Sequence, residues 1–158
     1  MDSESVRLKD GRTVELRHAD AGDAELFRDY LTKLGESTEY MLTHPGDMGM
    51  VEAYTRSLQR LDSNEFYSLH AIDPKSGELV GNSSFYFSDR VKLAHSAGLA
   101  IGVLPDWQGN GLGMLLLERS IEEMRCFPQI TRLQLVVMQG NDHAKRMYER
   151  VGFVDEGR

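Results

Sequence analysis

The sequence predicts a single α/β domain with the element order β-α-α-β-β-β-α-β-α. Short stretches with strand-like alternation are followed by stretches whose apolar residues recur at helical spacing. A β-α-β unit near the C-terminus implies at least one parallel pair of strands. The chain has 158 residues, which is room for one ordinary domain, and it contains no repeat or linker-like stretch. Residues 1–158 are therefore expected to form one unit.

The first half is predicted to contain three strands and two helices. The strands are Thr13 to Arg17, Phe66 to Ile72 and Leu79 to Phe87; the helices run from an N-cap at Asp20 to Gly35 and over residues 51–61. Residues 36–50 contain a proline and two glycines and are predicted to be a loop.

The second half is predicted to contain two strands and two helices. The strands are Lys92 to Leu104 and Leu133 to Met138; the helices run from Leu112 to about Phe127 and from an N-cap at Asn141 to Gly152. The strand at Leu133 is almost wholly apolar, which predicts burial on both faces. Trp107 is expected to be a packing anchor.

Charge and composition exclude several classes of protein. There are 18 basic and 25 acidic side chains, a net charge of −7, which disfavours nucleic acid and anionic membranes as partners. Cys126 is the only cysteine, so no disulfide or multi-cysteine zinc site can form within the chain. The first ten residues are polar and charged, and no apolar run approaches the roughly 20 residues of a membrane span. A cytoplasmic protein is expected.

Three alternating glycines, Gly109, Gly111 and Gly113, lie between the end of a strand and the start of a helix. Glycines there let the backbone approach a ligand, and the unpaired N–H groups of a helix start suit phosphate. The spacing fits neither the dinucleotide fingerprint nor the P-loop. A glycine-rich turn with no ligand is the alternative interpretation.

The segment Gln108-x-x-Gly111-x-Gly113 resembles the Gln/Arg-x-x-Gly-x-Gly/Ala signature of the GNAT superfamily of N-acetyltransferases. The preceding strand, from Gly98 to Trp107, and the stretch from Asn141 to Phe153 are similar to the family's central strand and to its Asn…Ala…Tyr…Gly-Phe ending. The resemblance is specific over residues 79–153. It implies a mixed, mostly antiparallel sheet flanked by helices, with an acceptor side mainly in residues 1–80 and an acetyl-CoA side in 81–158.

The resemblance also implies how acetyl-CoA is held, with no metal. The loop that grips the pyrophosphate comprises Gln108, Gly109, Asn110, Gly111, Leu112 and Gly113. Backbone groups of Ile101 and Val103 pair with the pantetheine arm, where the strand splays from its neighbour, and an N–H near Val103 faces the thioester oxygen. Asn141 and Ala144 line the other side. Gly102 fits a close backbone approach.

Tyr148 matches the family's general acid, which protonates the departing thiolate; its alternative is a packed aromatic side chain. Many relatives place a glutamate base where this chain has Gly98, so that base is absent. Glu36 and Glu39 are candidates to bind a cationic acceptor or to act through water; a solvated loop face is the alternative.

The remaining candidate side chains have structural interpretations. His70 and His95 are expected to be structural strand histidines and Cys126 a core residue, which favours direct transfer over an acetyl-cysteine route. The basic residues of the last helix either meet the 3′-phosphate of CoA or form a solvated face: Lys145, Arg146 and Arg150.

Family members usually continue beyond the Gly-Phe pair into further strands, whereas only five residues follow Phe153 here. Either the chain was cut or another subunit completes the sheet, so a homodimer is one expectation. The predicted function is transfer of acetyl from acetyl-CoA to a primary amine in a ternary complex. The acidic first half, with 16 acidic against 9 basic side chains, favours a small cationic acceptor. A protein N-terminus or lysine as acceptor, and a non-catalytic CoA-binding regulatory domain, are the alternatives.

Overall fold

A computed structural model describes residues 3–37, 52–53, 56–58, 66–88 and 90–157. Six strands in this part of the chain form one sheet in chain order, antiparallel except for the last pair. The strands are β1 (Glu4–Arg7), β2 (Thr13–His18), β3 (Phe66–Ile72), β4 (Leu79–Phe87), β5 (Ser96–Val103) and β6 (Arg132–Gln134). The helices include α1 (Ala24–Ser37), α2 (Leu112–Met124) and α3 (Asp142–Arg150), and residues 52–53 and 56–58 are also helical. The predicted mixed, mostly antiparallel α/β class is confirmed.

The element order differs from the prediction at the N-terminus, where β1 was missed. It pairs with β2 from Glu4 opposite Leu16 to Arg7 opposite Thr13. Its side chains are exposed or half-buried because it is the edge strand of the sheet, so it carries no apolar run for sequence periodicity to detect. The order therefore begins with a β-hairpin.

The first helix begins as predicted and ends later than predicted. Asp20 accepts a hydrogen bond from the N–H of Gly22 and forms a capping box with Asp23 around a short 3₁₀ turn. The helix then continues through Gly35 to Ser37, so Glu36 is helical and not in a loop. A single glycine in a helix costs only about 1 kcal/mol, which the burial of Leu31 and Leu34 outweighs.

Two boundaries in the second half were wrong. Residues 91–93 form a 3₁₀ turn, and β5 starts only at Ser96 instead of Lys92. Regular strand pairing in the segment from Leu133 to Met138 ends at Gln134, and its side chains alternate between half-buried and exposed. Only one face of β6 is covered in the described structure, so the prediction of burial on both faces was wrong; Val136 is 78% exposed.

Helices α1 and α2 pack on opposite faces of the sheet. A Cβ on Gly102 would meet Leu34 and the Tyr30 hydroxyl of α1, whereas a Cβ on Gly81 would meet α2. Gly81 lies opposite Val103, the neighbour of Gly102, and neighbouring strand residues point to opposite faces. Tyr148 of α3 packs in the same apolar cluster as Leu117 of α2, so these two helices share a face. No helix among the described residues is long and apolar enough to cross a membrane.

Candidate active site

The last two strands of the sheet separate at one end. The parallel ladder between β5 and β6 runs from Ser96 opposite Arg132 to Gly98 opposite Gln134 and stops there. Residues 99–103 of β5 continue without a described strand on that edge. The splay that the sequence resemblance implies is therefore present in the fold.

The backbone direction of β5 shows which groups face the gap. The N–H of Leu104 donates to Val80 of β4 at 2.9 Å, and the carbonyl of His95 accepts from Arg132 on the other edge at 3.1 Å. Because N–H and C=O directions alternate along a strand, Ile101 and Val103 point their backbone groups away from β4 and into the gap. These are the two residues that the sequence predicted to be available there.

Gln108 connects this open edge to the glycine loop. Its side-chain Nε2 donates to the carbonyl oxygen of Val103 at 2.9 Å, so one acceptor on the open edge is already bound within the chain. The predicted loop residue thus positions the loop against the strand. Trp107, just before it, is buried and carries the guanidinium of Arg12 over its ring at 4.0 Å, which confirms the packing anchor.

The glycine loop has the backbone geometry that its glycines allow. Gly109 and Gly111 adopt φ angles of 77° and 85°, in the left-handed region that disfavours a side chain. Gly111 is the N-cap of α2 and provides no side-chain cap, so the first N–H groups of α2, from Leu112 onward, lack a capping acceptor. Asn110 stabilises the turn by donating from its Nδ2 to the carbonyl of Gln108 at 3.1 Å. The arrangement is suited to bind an anion.

Helix α3 flanks the loop on the side of β6. A Cβ on Gly113 would lie 3.3 Å from the Met147 sulfur and 3.8 Å from a methyl of Val103, so this glycine permits close packing of α2, α3 and β5. Asn141 caps α3 by accepting from the N–H of Ala144 at 3.3 Å, as its predicted cap role requires. Ala144 is half-buried in the apolar cluster beside β5.

Tyr148 lies on α3 within that cluster. It is 8% exposed, its ring meets Phe153 edge-on at 5.8 Å, and it belongs to the same apolar cluster as Leu99 of β5. Burial raises the pKa of Tyr148 to about 12, so the hydroxyl keeps its proton at neutral pH. The residue is thus both a packed aromatic and a retained O–H donor next to the open strand.

A pocket of about 470 Å³ opens on the opposite face of the sheet, where β5 and β6 part. A Cβ on Gly98 would meet nothing within 4 Å, so the absent side chain leaves this space open. The polar and aromatic side chains around it include Tyr86, His95, Arg132 and Gln134. Arg132 is itself paired with Glu156, Nη1 to Oε1 at 2.9 Å. The described lining contains no carboxylate.

Of the two predicted acceptor residues, only Glu36 belongs to the described part of the chain. Glu36 is exposed on the last turn of α1, and Glu39 lies outside the described residues.

His95 precedes β5 and lines the pocket, so the expectation of a strand histidine was wrong for it. Cys126 is exposed, and the expectation of a core cysteine was wrong because α2 ends at Met124 and the chain turns outward there. Lys145 pairs with Asp155 at 2.9 Å.

His70 is part of a buried cluster on β3, away from the pocket lining. Arg17 donates to both oxygens of Asp23 at 2.7 and 2.8 Å, and Nδ1 of His70 lies 3.3 Å from Asp23. Burial alone would raise the pKa of Asp23, but the hydrogen bonds from Arg17 and its other partners hold that pKa well below its usual range. His70 stacks on Phe27 and is fully buried, so its structural interpretation fits.

The described residues contain no group of three or more His, Cys, Asp or Glu side chains placed to hold a metal ion. The open edge of β5 leads to a helix start that is suited to an anion, and a pocket lies beside the paired end of β5 and β6. This arrangement is suited to an extended phosphate-bearing ligand beside a second, smaller one. Residues 29–153 match the model of the acetyltransferase (GNAT) family, and the chain belongs to that family.

Named relatives agree with this assignment. The chain is 28% identical over 81 residues to an L-amino acid N-acetyltransferase of Escherichia coli; this match covers 51% of this chain and 50% of the relative. It is 29% identical over 110 residues to a mycothiol acetyltransferase of Propionibacterium freudenreichii, covering 70% of this chain and 35% of the relative. The matches thus span half or less of these curated relatives. A GNAT-family acetyltransferase structure from Streptococcus pneumoniae has a TM-score of 0.82 and 28% identity, covering 91% of this chain and 86% of that one.

Proposed function

We propose that this chain is an N-acetyltransferase that moves the acetyl group of acetyl-CoA to a primary amine in a ternary complex. The observation that carries the proposal is the open edge of β5, which begins beside the glycine loop and ends at the pocket. Family membership supports the reaction class, and two named relatives are acetyltransferases.

In this proposal the loop from Gln108 to Gly113 binds the pyrophosphate of acetyl-CoA. The pantetheine arm hydrogen-bonds to the backbone of Ile101 and to the N–H of Val103 as an added strand, since the Val103 carbonyl is bound by Gln108. Asn141 and Ala144 lie along the other wall. Val103 is the open residue nearest the loop, so an arm running toward Gly98 carries the thioester beyond Val103. The N–H that stabilises the developing oxyanion is therefore assigned to Ile101 rather than to Val103, because the N–H of Leu99 belongs to the ladder with Gln134.

The reaction forms a C–N bond and breaks the C–S bond of the thioester. The amine nitrogen attacks the carbonyl carbon, the electron pair of the C–S bond leaves on sulfur, and the amine gives up one proton while the thiolate gains one. A phenol with a pKa of about 12 holds its proton more tightly than a thiol, for which about 8.5 is typical. Tyr148 is therefore assigned to stabilise the departing thiolate by hydrogen bonding. The proton that the amine loses equals in number the proton that the thiolate takes up to become the thiol of CoA.

Removal of the amine proton requires an acceptor that Gly98 cannot supply. Among the described lining residues, His95 is a side chain that can accept a proton, directly or through water. Glu36 and Glu39 remain proposed binding residues for a cationic acceptor, at the end of α1 and beyond it.

The acceptor is proposed to be a small primary amine. The acidic first half of the chain favours a cationic amine, whereas the described lining of the pocket presents Arg132 and His95 without a carboxylate. A second candidate is an amino acid, because one relative is named for that acceptor class. Its carboxylate would replace Glu156 as the partner of Arg132, which lines the pocket. The two candidates differ in the group that accompanies the amine: a further positive charge in a cationic amine, and a negative carboxylate in an amino acid.

The test is thiol release from acetyl-CoA with a panel of polyamines, amino acids and N-terminal peptides. We expect turnover with one small-amine class. Tyr148→Phe should lose about 100-fold in kcat, the effect of removing one hydrogen-bond donor to a developing negative charge, with acetyl-CoA binding unchanged. Tyr67→Phe, which removes a buried hydroxyl on β3, is the control and should retain activity. Acetyl-CoA binding without turnover on any amine would favour the regulatory domain, and wild-type kcat in Tyr148→Phe would overturn its assigned role.

A further inference from the structure

The turn between β1 and β2 contacts the glycine loop from the side opposite α3. The backbone N–H of Lys9 donates to the carbonyl of Asn110 at 3.4 Å. The Lys9 side chain continues over the next residue, Gly111: its Cε and Nζ lie 3.4 and 3.9 Å from the point where a Cβ on Gly111 would stand. The ammonium group is thus held against the loop at the residue that caps α2.

The charges around Lys9 leave its ammonium uncompensated. The neighbouring carboxylate, Asp10, is bound by Nε of Arg12 at 2.6 Å. Arg12 is in turn fixed over Trp107 and donates to the carbonyl of Asp106 at 2.7 Å. Lys9 itself makes no ion pair with any residue in the described part of the chain. Its exposed side chain therefore places a free positive charge beside unpaired helix N–H groups.

We propose that Lys9 is a ligand of the CoA pyrophosphate, acting with the loop N–H groups from across the hairpin turn. The inference rests on the proposed function, because it assigns the pyrophosphate to this loop. Gly111 closes the turn with its left-handed backbone, and the Lys9 side chain lies over this residue at van der Waals distance from the position that a Cβ would take. The loop contains no cationic residue between Gln108 and Gly113, so the hairpin provides the charge that the motif lacks.

The experiment compares Kd values for acetyl-CoA by calorimetry in the wild type, Lys9→Gln and Lys9→Arg. Substitution of this side chain leaves the backbone contact to Asn110 intact. We expect Lys9→Gln to bind about fivefold more weakly, the upper end of the range for an exposed ion pair, and Lys9→Arg to bind within about twofold of wild type. Lys92→Gln, which removes the same charge from the turn before β5, is the matched control and should match the wild type.

Acetyl-dephospho-CoA, which lacks the 3′-phosphate, identifies the phosphate concerned. The same fivefold loss with this ligand is expected, and a loss that disappears would assign Lys9 to the 3′-phosphate and overturn the proposal. Equal Kd values for Lys9→Gln and wild type would also overturn it while leaving the proposed function intact. Absence of acetyl-CoA binding by the wild type would instead refute the proposed function, and this inference with it.

Discussion

Replacing Gly102 with alanine should weaken the packing of α1 on β5. A Cβ at this position would lie 2.5 Å from both Cδ2 of Leu34 and the hydroxyl oxygen of Tyr30. Comfortable contacts between carbon atoms are about 3.5–4.0 Å, so these groups must retreat by about 1 Å. Both side chains are buried, at 4% and 2% exposure, so a shift of either one disturbs its packing in the core.

Overpacking of this kind costs about 1–3 kcal/mol, and the reduced entropy of the unfolded chain returns about 0.4–1 kcal/mol. The expected net destabilisation for Gly102→Ala is therefore about 1–2 kcal/mol. Gly98 provides a matched control in the same strand and on the same face. Its Cβ would meet nothing within 4 Å, so Gly98→Ala should gain about 0.5 kcal/mol from the entropy term alone.

Urea unfolding followed by fluorescence of the single tryptophan, Trp107, measures both variants. The two midpoints should differ by the equivalent of about 2 kcal/mol with equal m-values, and the melting temperatures by about 4–8 °C. If Gly102→Ala proved as stable as Gly98→Ala, the close approach of α1 would not be the reason for a glycine at this position.

Two further predictions concern single hydrogen-bonded groups. Gln108→Leu removes the donor to Val103 and should weaken acetyl-CoA binding about fivefold in calorimetry, because such a hydrogen bond has a net value of about 1 kcal/mol. The control Gln129→Leu, in an exposed turn, should bind acetyl-CoA like the wild type. Equal Kd values for Gln108→Leu and the wild type would refute the positioning role of Gln108. Asp23→Asn should lower the free energy of unfolding at pH 7 by about 2–3 kcal/mol, less than for a fully buried pair because Arg17 is partly exposed. The folded-state pKa of Asp23 lies below its unfolded value, so the extra stability of the wild type is present above about pH 4 and shrinks as the pH falls below it. A difference in unfolding free energy between wild type and Asp23→Asn that persisted undiminished to pH 2 would refute the role of the Asp23 carboxylate.

The sequence pattern predicted best the elements whose apolar residues form a clear run or a clear periodicity, because these elements are buried in the core. Strands β3 and β4 are buried along nearly their whole length and were predicted with their exact bounds. Edge elements were the failures, because their side chains face solvent and carry no such period. β1 was missed, and the exposed alternation after Leu133 was mistaken for burial on both faces.

The site divides in the same way between local and distant contacts. The glycine loop, the cap at Asn141 and the gap-facing groups of Ile101 and Val103 follow from residues close in sequence, so the motif was sufficient to predict them. The contact of Lys9 with Gly111 joins residues a hundred positions apart and has no local signal. Gly102 was expected to mark a close backbone approach beside the pantetheine arm, whereas the group that lies against it in the structure is α1.

The two neighbours Gly98 and Leu99 explain how one strand edge can serve both sides of an acyl transfer. Successive residues of β5 point to opposite faces, so Gly98 opens the pocket on the α1 face while Leu99 belongs to the same apolar cluster as Tyr148 on the α2 face. A thioester lying in the gap between β5 and β6 would be approached by the amine from the first face and would release its sulfur toward the second. Proton removal and thiolate stabilisation are then separated by the sheet itself, so the absence of a carboxylate at Gly98 affects only the amine's side of the reaction. Under the proposed function, the choice of acceptor would then depend on the pocket and the stabilisation of the thiolate on α3.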